Sequence, residues 1–408
     1  MNLDLPFVRS QFPEFSEPAL QGWGFFENAG GSYPCIQVVN KLTDFYTKNK
    51  VQPYYPYPAS AFAGKQMDDS YKRLTEYLNV HESEIHFGPS TTQNVYVLAH
   101  AMRPMWDEGD EIIVSCQDHE ANAGSWRKLA QHGIKVIEWH VHPETGMLDP
   151  EVLESLFSKR TRMVAYPHCS NIIGYINPVQ EISRMAHEHG ALSVVDGVGM
   201  APHGLPDIKE IGADIYLFST YKTFGPHLGV MYVDKNLIGK MENQSHFFKQ
   251  GMTRSMLTPA GPDHAQIAAV SGILDYFDAL YDHHFDTEAS PHERNKVLNG
   301  LFRVHENMLL EHLLEFLRTR DDVQIVGPDQ AENRAPIVSI IPKNKPIEEV
   351  YSRLTKHKVM LGMGNFYAVR PLMDMNIPTE PGVLRISFLH YTTMDEIDQL
   401  IEALNTAL

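Results

Sequence analysis

DIYLFSTYKTFGPHLGVMYV, residues 214–233, decides the fold. Asp214–Ser219 is apolar, β-branched and aromatic, and is too short for a helix before its polar break. It reads as a buried strand. Leu228–Val233 reads as a second one. Between them stand Ser219, Thr220, Tyr221 and Lys222, then the breaker pair Gly225-Pro226. An ammonium group in a turn between two buried strands is costly. Burial favours the neutral amine, the form that condenses with a carbonyl.

Three readings of Lys222 follow. It is a surface turn lysine, or the partner of Ser219 in a Ser-x-x-Lys hydrolase pair, or a pyridoxal phosphate (PLP) lysine. The hydrolase pair needs both residues on one helical turn, and Gly225-Pro226 followed by a strand argues against a helix start here. The PLP reading needs an acidic partner for the pyridine nitrogen and a phosphate cup.

Length and composition set the frame. The 408 residues suffice for a large domain and a smaller one, and 43% hydrophobic with 21% charged is the composition of a globular enzyme. A net charge of −17 argues against nucleic acid or an anionic membrane as partner. No apolar run approaches a membrane span, and the N-terminus has neither the basic nor the apolar region of a signal peptide. Three scattered cysteines, Cys35, Cys116 and Cys169, suggest a reducing compartment without disulfides. The expectation is a cytoplasmic protein.

Along the chain, Phe25–Ser32 (FFENAGGS) is an apolar run into a glycine turn, and Ile36–Asn49 and Gln66–Leu78 carry helical spacing. Gln52–Ser60, rich in Pro and Tyr, reads as an ordered loop between them. Then strands alternate with helices. Ile85–Phe87, Glu111–Cys116, Ile134–Trp139, Met163–Tyr166 and Ala191–Asp196 are the predicted strands. Helices are predicted at Gln93–Arg103, after Asp118, at Pro150–Phe157 and at Pro178–His189. This predicts an α/β fold with a mostly parallel sheet covered on both faces. The character changes toward the C-terminus, where a helix over Lys296–Leu317 precedes the strand Ala335–Ile341. A helix at Glu348–His357, a strand at Val383–Phe388 and a closing helix from Met394 complete a smaller α+β unit. The division expected is 1–285 and 286–408.

Ligands of open α/β sheets sit beyond the carboxyl ends of the strands, and the chemically capable residues fall there. Thr91 and Thr92 follow a strand and open a helix, as an anion cup or as ordinary caps. Asp196 ends a buried strand, as a turn former or as the partner of a cationic ring. A pyridinium about 4 Å away would gain it roughly 4 kcal/mol before desolvation. Ser219 and Tyr221 offer hydroxyls to a phosphate. His119 opens a helix, either to stack on a flat ring and move protons or as a surface cap. Asn171 offers an amide to a ligand oxygen or shapes a turn. The histidine pairs His187/His189 and His283/His284 do not share a helix face, so no metal site is expected.

The order of these pieces resembles the class V aminotransferases of PLP fold type I, most closely their cysteine-desulfurase-like branch, over nearly the whole chain. Thr91-Thr92, Asp118–Asn122, Ser170-Asn171, Val195–Gly197 and Phe218–Pro226 carry the resemblance. It implies that Lys222 forms the internal aldimine, that His119 stacks on the ring and that Asp196 pairs with its nitrogen. Asn171 would touch the ring hydroxyl or the substrate. Thr91, Thr92, Ser219 and Tyr221 would hold the phosphate, and Arg385 would clamp a substrate carboxylate with its planar fork. It also implies a homodimer with sites at the interface. The departures point to altered chemistry. Desulfurases of this kind carry a mobile cysteine where this chain has Leu361–Leu372, which contains none. Tyr221 replaces a histidine, Gly199 a glutamine, and Pro262 a threonine that reaches the partner's phosphate, with Asp263 and His264 as candidate substitutes. The function implied is action on a small amino acid, as aminotransferase or Cβ-lyase, without a persulfide cysteine. Racemisation at Cα is a third branch, and a non-catalytic PLP-binding regulator or scaffold is the alternative.

Overall fold

The computed structural model describes residues 2–261 and 263–408; Pro262 therefore lies outside the described residues. The stretch around Lys222 folds as a hairpin. Ile215–Ser219 and Gly229–Val233 pair antiparallel, with Ser219 opposite Gly229, and Thr220–Lys222 forms one 3-10 turn at the tip.

That hairpin belongs to a seven-stranded sheet. In spatial order its strands are Ile85–Gly88, Gly229–Val233, Ile215–Ser219, Leu192–Asp196, Thr161–Pro167, Glu111–Ser115 and Lys135–Trp139. Only Gly229–Val233 runs against its neighbours; every other pairing is parallel. Side chains of period two separate cleanly onto two faces. Ile112, Val114, Val194, Ile215 and Leu217 enter one core with the helices Thr91–Met102 and Glu120–Arg127. Ile113, Val195, Tyr216 and Phe218 enter the other, with Pro58–Leu78, Val179–Glu188 and His264–His284. Coverage on both faces explains why these strands read as continuous apolar runs.

A second, four-stranded antiparallel sheet orders Gly362–Gly364, Val383–Ser387, Ile337–Pro342 and Val323–Val326. The helix Pro291–Arg318 links the two cores. Leu298, Leu301 and Phe302 pack beneath the large sheet, while Leu309, Leu310, Leu313, Leu314 and Leu317 pack on the small one. The N-terminal strand Gly24–Phe25 pairs in parallel with Val359–Met360 as a separate two-stranded sheet, and Phe26 and Val359 enter the core of the smaller unit.

Three helices differ from the sequence reading, each for a local reason. The helix predicted from Gln66 begins at Pro58, with proline in its first turn, eight residues sooner than the apolar period suggests. The helix predicted from Lys296 begins at Pro291, where Ser290 and Glu293 form a capping box; its polar first turn hides it from an apolar pattern. His264–His284 was not predicted as a helix. Its N-cap Asp263 accepts from the Ala265 and Gln266 amides, and apolar residues nearly all round blur its periodicity.

Candidate active site

Five strand ends of the large sheet converge on one cavity. Ser90–Thr92 follow the strand ending at Gly88, and Asp118-His119 follow the one ending at Ser115. Asn171 comes after Pro167, while Asp196 and Ser219 end their own strands. Thr91, Thr92, His119, Asn171, Asp196, Ser219, Tyr221 and Lys222 all line this cavity.

Its anion end is built from the helix Thr91–Met102. Ser90 caps that helix by accepting from the Gln93 amide at 3.2 Å, and the first amides of a helix have no intrahelical partner. The buried Thr91 hydroxyl lies 2.7 Å from that of Ser219. Gly229 lets the hairpin approach this cup closely: a Cβ there would lie 2.5 Å from the Ser90 carbonyl carbon and 2.6 Å from the Thr91 nitrogen. Ser219 thus serves the cup through Thr91, and among the described residues it has no hydrogen bond to Lys222, so a Ser-Lys hydrolase pair is not formed.

Lys222 is buried, with 8% of its surface exposed. Burial, reinforced by the Arg385 cation, lowers its amine to about 8 against the pull of Asp196 and Glu27. A minority of the amine is therefore neutral near physiological pH, a far larger share than in an ordinary lysine. Its carbonyl-bearing neighbour Tyr221 accepts from the Ser32 amide at 3.1 Å, which seats the glycine turn 30–31 against the lysine loop.

The acidic end holds two carboxyls. Asp196 Oδ1 accepts from the Val198 amide at 2.8 Å, and its Oδ2 has no hydrogen bond among the described residues. Burial raises its pKa. Asp118 is raised well above the carboxylate range by burial and then by the Asp196 charge. Its Oδ2 accepts from Asn122 at 2.6 Å, and its Oδ1 is buried with no partner. Two such acids hold one negative charge between them.

His119 caps a helix and also faces the cavity. It is the N-cap of Glu120–Arg127, its Nδ1 accepting from the Ala121 amide at 3.0 Å, and it lines the cavity. Burial, then the cations of Lys222 and Arg385, lower it to about 3. The ring is neutral with its proton on Nε2.

Asn171 and Arg385 are placed less simply. The Asn171 amide donates to the Phe366 carbonyl at 3.0 Å and its Oδ1 is buried without a partner. Arg385 is 3% exposed and does not line the open cavity. It donates to Glu27 at 2.7 Å and to the Asn171 carbonyl at 3.2 Å, under the Phe366 ring at 3.7 Å. It is a buried ion pair, not a surface one.

Sequence reasoning passed over Asp118 as an acid, Glu27 and His227. The first two stood inside quoted motifs without being singled out. His227 lines the cavity, stacks on Tyr221 at 4.6 Å and approaches the Pro89 carbonyl at 3.3 Å through Nδ1; its position one residue after Gly225-Pro226 was the available signal. The histidine pairs meet carboxylates or caps: His187 with Asp214, His189 with Glu154, His283 with Asp4. Cys116, His140 and Asp374 bring ligand-capable atoms within 4.8 Å of one another, with the Arg127 cation bonded to Glu138 beside Cys116.

The fit to a PLP-sized phosphate aldehyde rests on this donor set. A helix-terminal cup, a neutral stacking imidazole, a carboxylate with a free oxygen and a desolvated amine surround one space.

Comparison with known proteins agrees. The family "Aminotransferase class-V" matches residues 24–255 and 301–400. "Aminotransferase-like protein FGM3" of Gibberella zeae is 32% identical, covering 98% of each chain. "Cysteine desulfurase-like protein ustD" of Aspergillus flavus is 28% identical over 97% of this chain and 88% of its own. The apo cysteine desulfurase of Thermococcus onnurineus NA1 superposes with a TM-score of 0.85 at 22% identity, covering 100% of this chain and 98% of its own. The α/β fold expected from the sequence is therefore the fold of these enzymes. The chain belongs to the class V aminotransferase family, on its cysteine-desulfurase-like branch, and is a pyridoxal-phosphate-dependent enzyme.

Proposed function

We propose that the chain acts on a small α-amino acid at Lys222, as an aminotransferase or a Cβ-lyase, without a persulfide cysteine. The observation that carries this reading is the desolvated Lys222 amine, lowered to about 8, set between Asp196 and the Thr91–Ser219 cup.

When bound, the cofactor supplies an aldehyde for the lysine and an electron sink. The protein supplies the rest. Thr91, Thr92, Ser219 and Tyr221 hold the phosphate, and His119 lays a neutral ring against the pyridine. Asp196 keeps a proton on the ring nitrogen through its free oxygen, with Asp118 protonated behind it. Lys222 Nζ would take the proton from the substrate Cα, a task suited to an amine titrating near the operating pH. Asn171 and Arg385 orient the substrate carboxylate.

No cysteine follows Cys169, and burial raises the Cys169 thiol to about 12, with its Sγ 3.3 Å from the Gly174 carbonyl. That thiol is a poor nucleophile, which supports chemistry without a sulfur relay. A homodimer fits the exposed aromatics Tyr54, Tyr55, Phe247 and Phe248. A cytoplasmic site fits three free cysteines, and no helix among the described residues is long and apolar enough to cross a membrane.

Absorption spectra of wild type and Lys222→Ala, with and without L-amino acids, test the reading. A long-wavelength cofactor band is expected in wild type and lost in the variant. Release of a keto acid with bleaching of the band marks a transaminase. Pyruvate or sulfide with an unchanged band marks a lyase. No band after PLP is added to wild type rejects the reading.

A further inference from the structure

Arg385 already holds a carboxylate. Glu27 Oε1 lies 2.7 Å from its Nη2, while Glu27 Oε2 and Arg385 Nε are both buried without a partner. The pair is thus bonded through one contact where a guanidinium and a carboxylate can make two.

The seat of this carboxylate is built. A Cβ on Gly30 would stand 2.6 Å from Glu27 Oε1, and one on Gly362 would collide with Oε2. Backbone fixes the position as well: the Asn28 amide donates to the Ser387 carbonyl at 3.3 Å, and the Ser387 amide to the Phe26 carbonyl at 2.8 Å. Glu27 is therefore bridged in parallel to Ser387, at the end of the strand that carries Arg385. Its side chain is 29% exposed, against 3% for Arg385, so the acid has a way out and the base does not.

We infer that Glu27 is a specificity-determining residue that competes with the substrate: Arg385 accepts a substrate carboxylate only when Glu27 gives up the guanidinium. The inference rests on the reading of Arg385 as the substrate clamp. Two carboxylates on one buried guanidinium leave a net negative charge out of water, which is unfavourable. A resident competitor therefore lowers the apparent affinity for every carboxylate ligand by the fraction of time Arg385 is free. It leaves ligands without a carboxylate untouched.

The test is a matched titration of PLP-loaded wild type and Glu27→Gln with L-alanine and with ethylamine, followed by the change in cofactor absorbance. Glutamine keeps the shape and removes the charge. The expected result is at least a tenfold lower Kd for L-alanine in the variant, with the ethylamine response unchanged within twofold. Should Glu27→Gln fail to fold, Glu27→Asp shortens the reach by one methylene and is expected to shift L-alanine in the same direction. An L-alanine Kd that is unchanged or higher in a variant with a normal cofactor band overturns the inference alone. Wild type without any cofactor band fails the assignment of the site, and the inference with it.

Discussion

The hydroxyls of Thr91 and Ser219, 128 positions apart in the chain, meet at 2.7 Å. One opens a helix and the other closes a strand. The contact fastens the start of the helix Thr91–Met102 to the hairpin that carries Lys222.

Thr91→Val keeps the shape of the side chain and removes that hydrogen bond together with a donor to the phosphate. A neutral hydrogen bond contributes about 1 kcal/mol net. PLP affinity is expected to fall roughly threefold to thirtyfold on that scale, measured by equilibrium dialysis of the apo protein, with little change in Tm.

Gly229→Ala attacks the same junction from the backbone. The added methyl meets the Ser90–Thr91 peptide, which cannot retreat as a flexible side chain would. Overpacking of this kind costs about 1–3 kcal/mol. Urea denaturation of the apo variant is expected to show that loss, and PLP binding a larger one than in Thr91→Val.

The lowered Lys222 amine, at about 8, fixes a pH dependence. In the apo protein its acylation rate is expected to rise tenfold per unit up to about pH 8 and then level off, as read by peptide mass spectrometry. Stability follows with a definite sign. Between about 8 and the ordinary lysine value of 10.5, the unfolded chain binds the proton and the folded one does not. Folding stability therefore gains about 1.4 kcal/mol per unit as pH rises through that window. Lys222→Met is expected to remove that slope.

Glu306, fully buried on the helix Pro291–Arg318, binds His203 Nδ1 at 2.9 Å, and His203 lines the cavity. Glu306→Ala leaves the histidine without its partner. Losing the partner of a buried hydrogen-bonding group costs about 1–3 kcal/mol, so the midpoint of denaturation is expected to drop. Replacing both residues with apolar ones restores much of the loss.

Most of the large sheet was legible because its strands are buried on both faces, and a continuous apolar run bounded by Gly, Pro or Asp needs no partner to be recognised. Thr91, His119, Asp196, Ser219 and Lys222 were legible for a related reason: a polar residue at the end of such a run stands out. Glu27 and Asp118 were not, since their significance lies in what they face. Arg385 lies 358 positions from Glu27, and no spacing rule spans that distance. Likewise the commitment of the Asn171 amide to Phe366 depends on a loop whose path is set by left-handed backbone at Phe366 and Tyr367. The helix start at Pro291 was missed because its first turn is polar and only a capping box marks it, and the one at Pro58 because small residues and a proline open it without any side-chain cap.

The helix Pro291–Arg318, rooted in both hydrophobic cores, is a rod about 42 Å long at 1.5 Å per residue. A beam clamped at both ends does not hinge. Swinging one sheet against the other would pull leucines from one anchorage or bend the rod between them, and Glu306 is pinned to the cavity wall midway. Any rearrangement that admits a substrate is then expected in small parts, such as the Asn365–Tyr367 turn and the Glu27 side chain, with the frame around them held still.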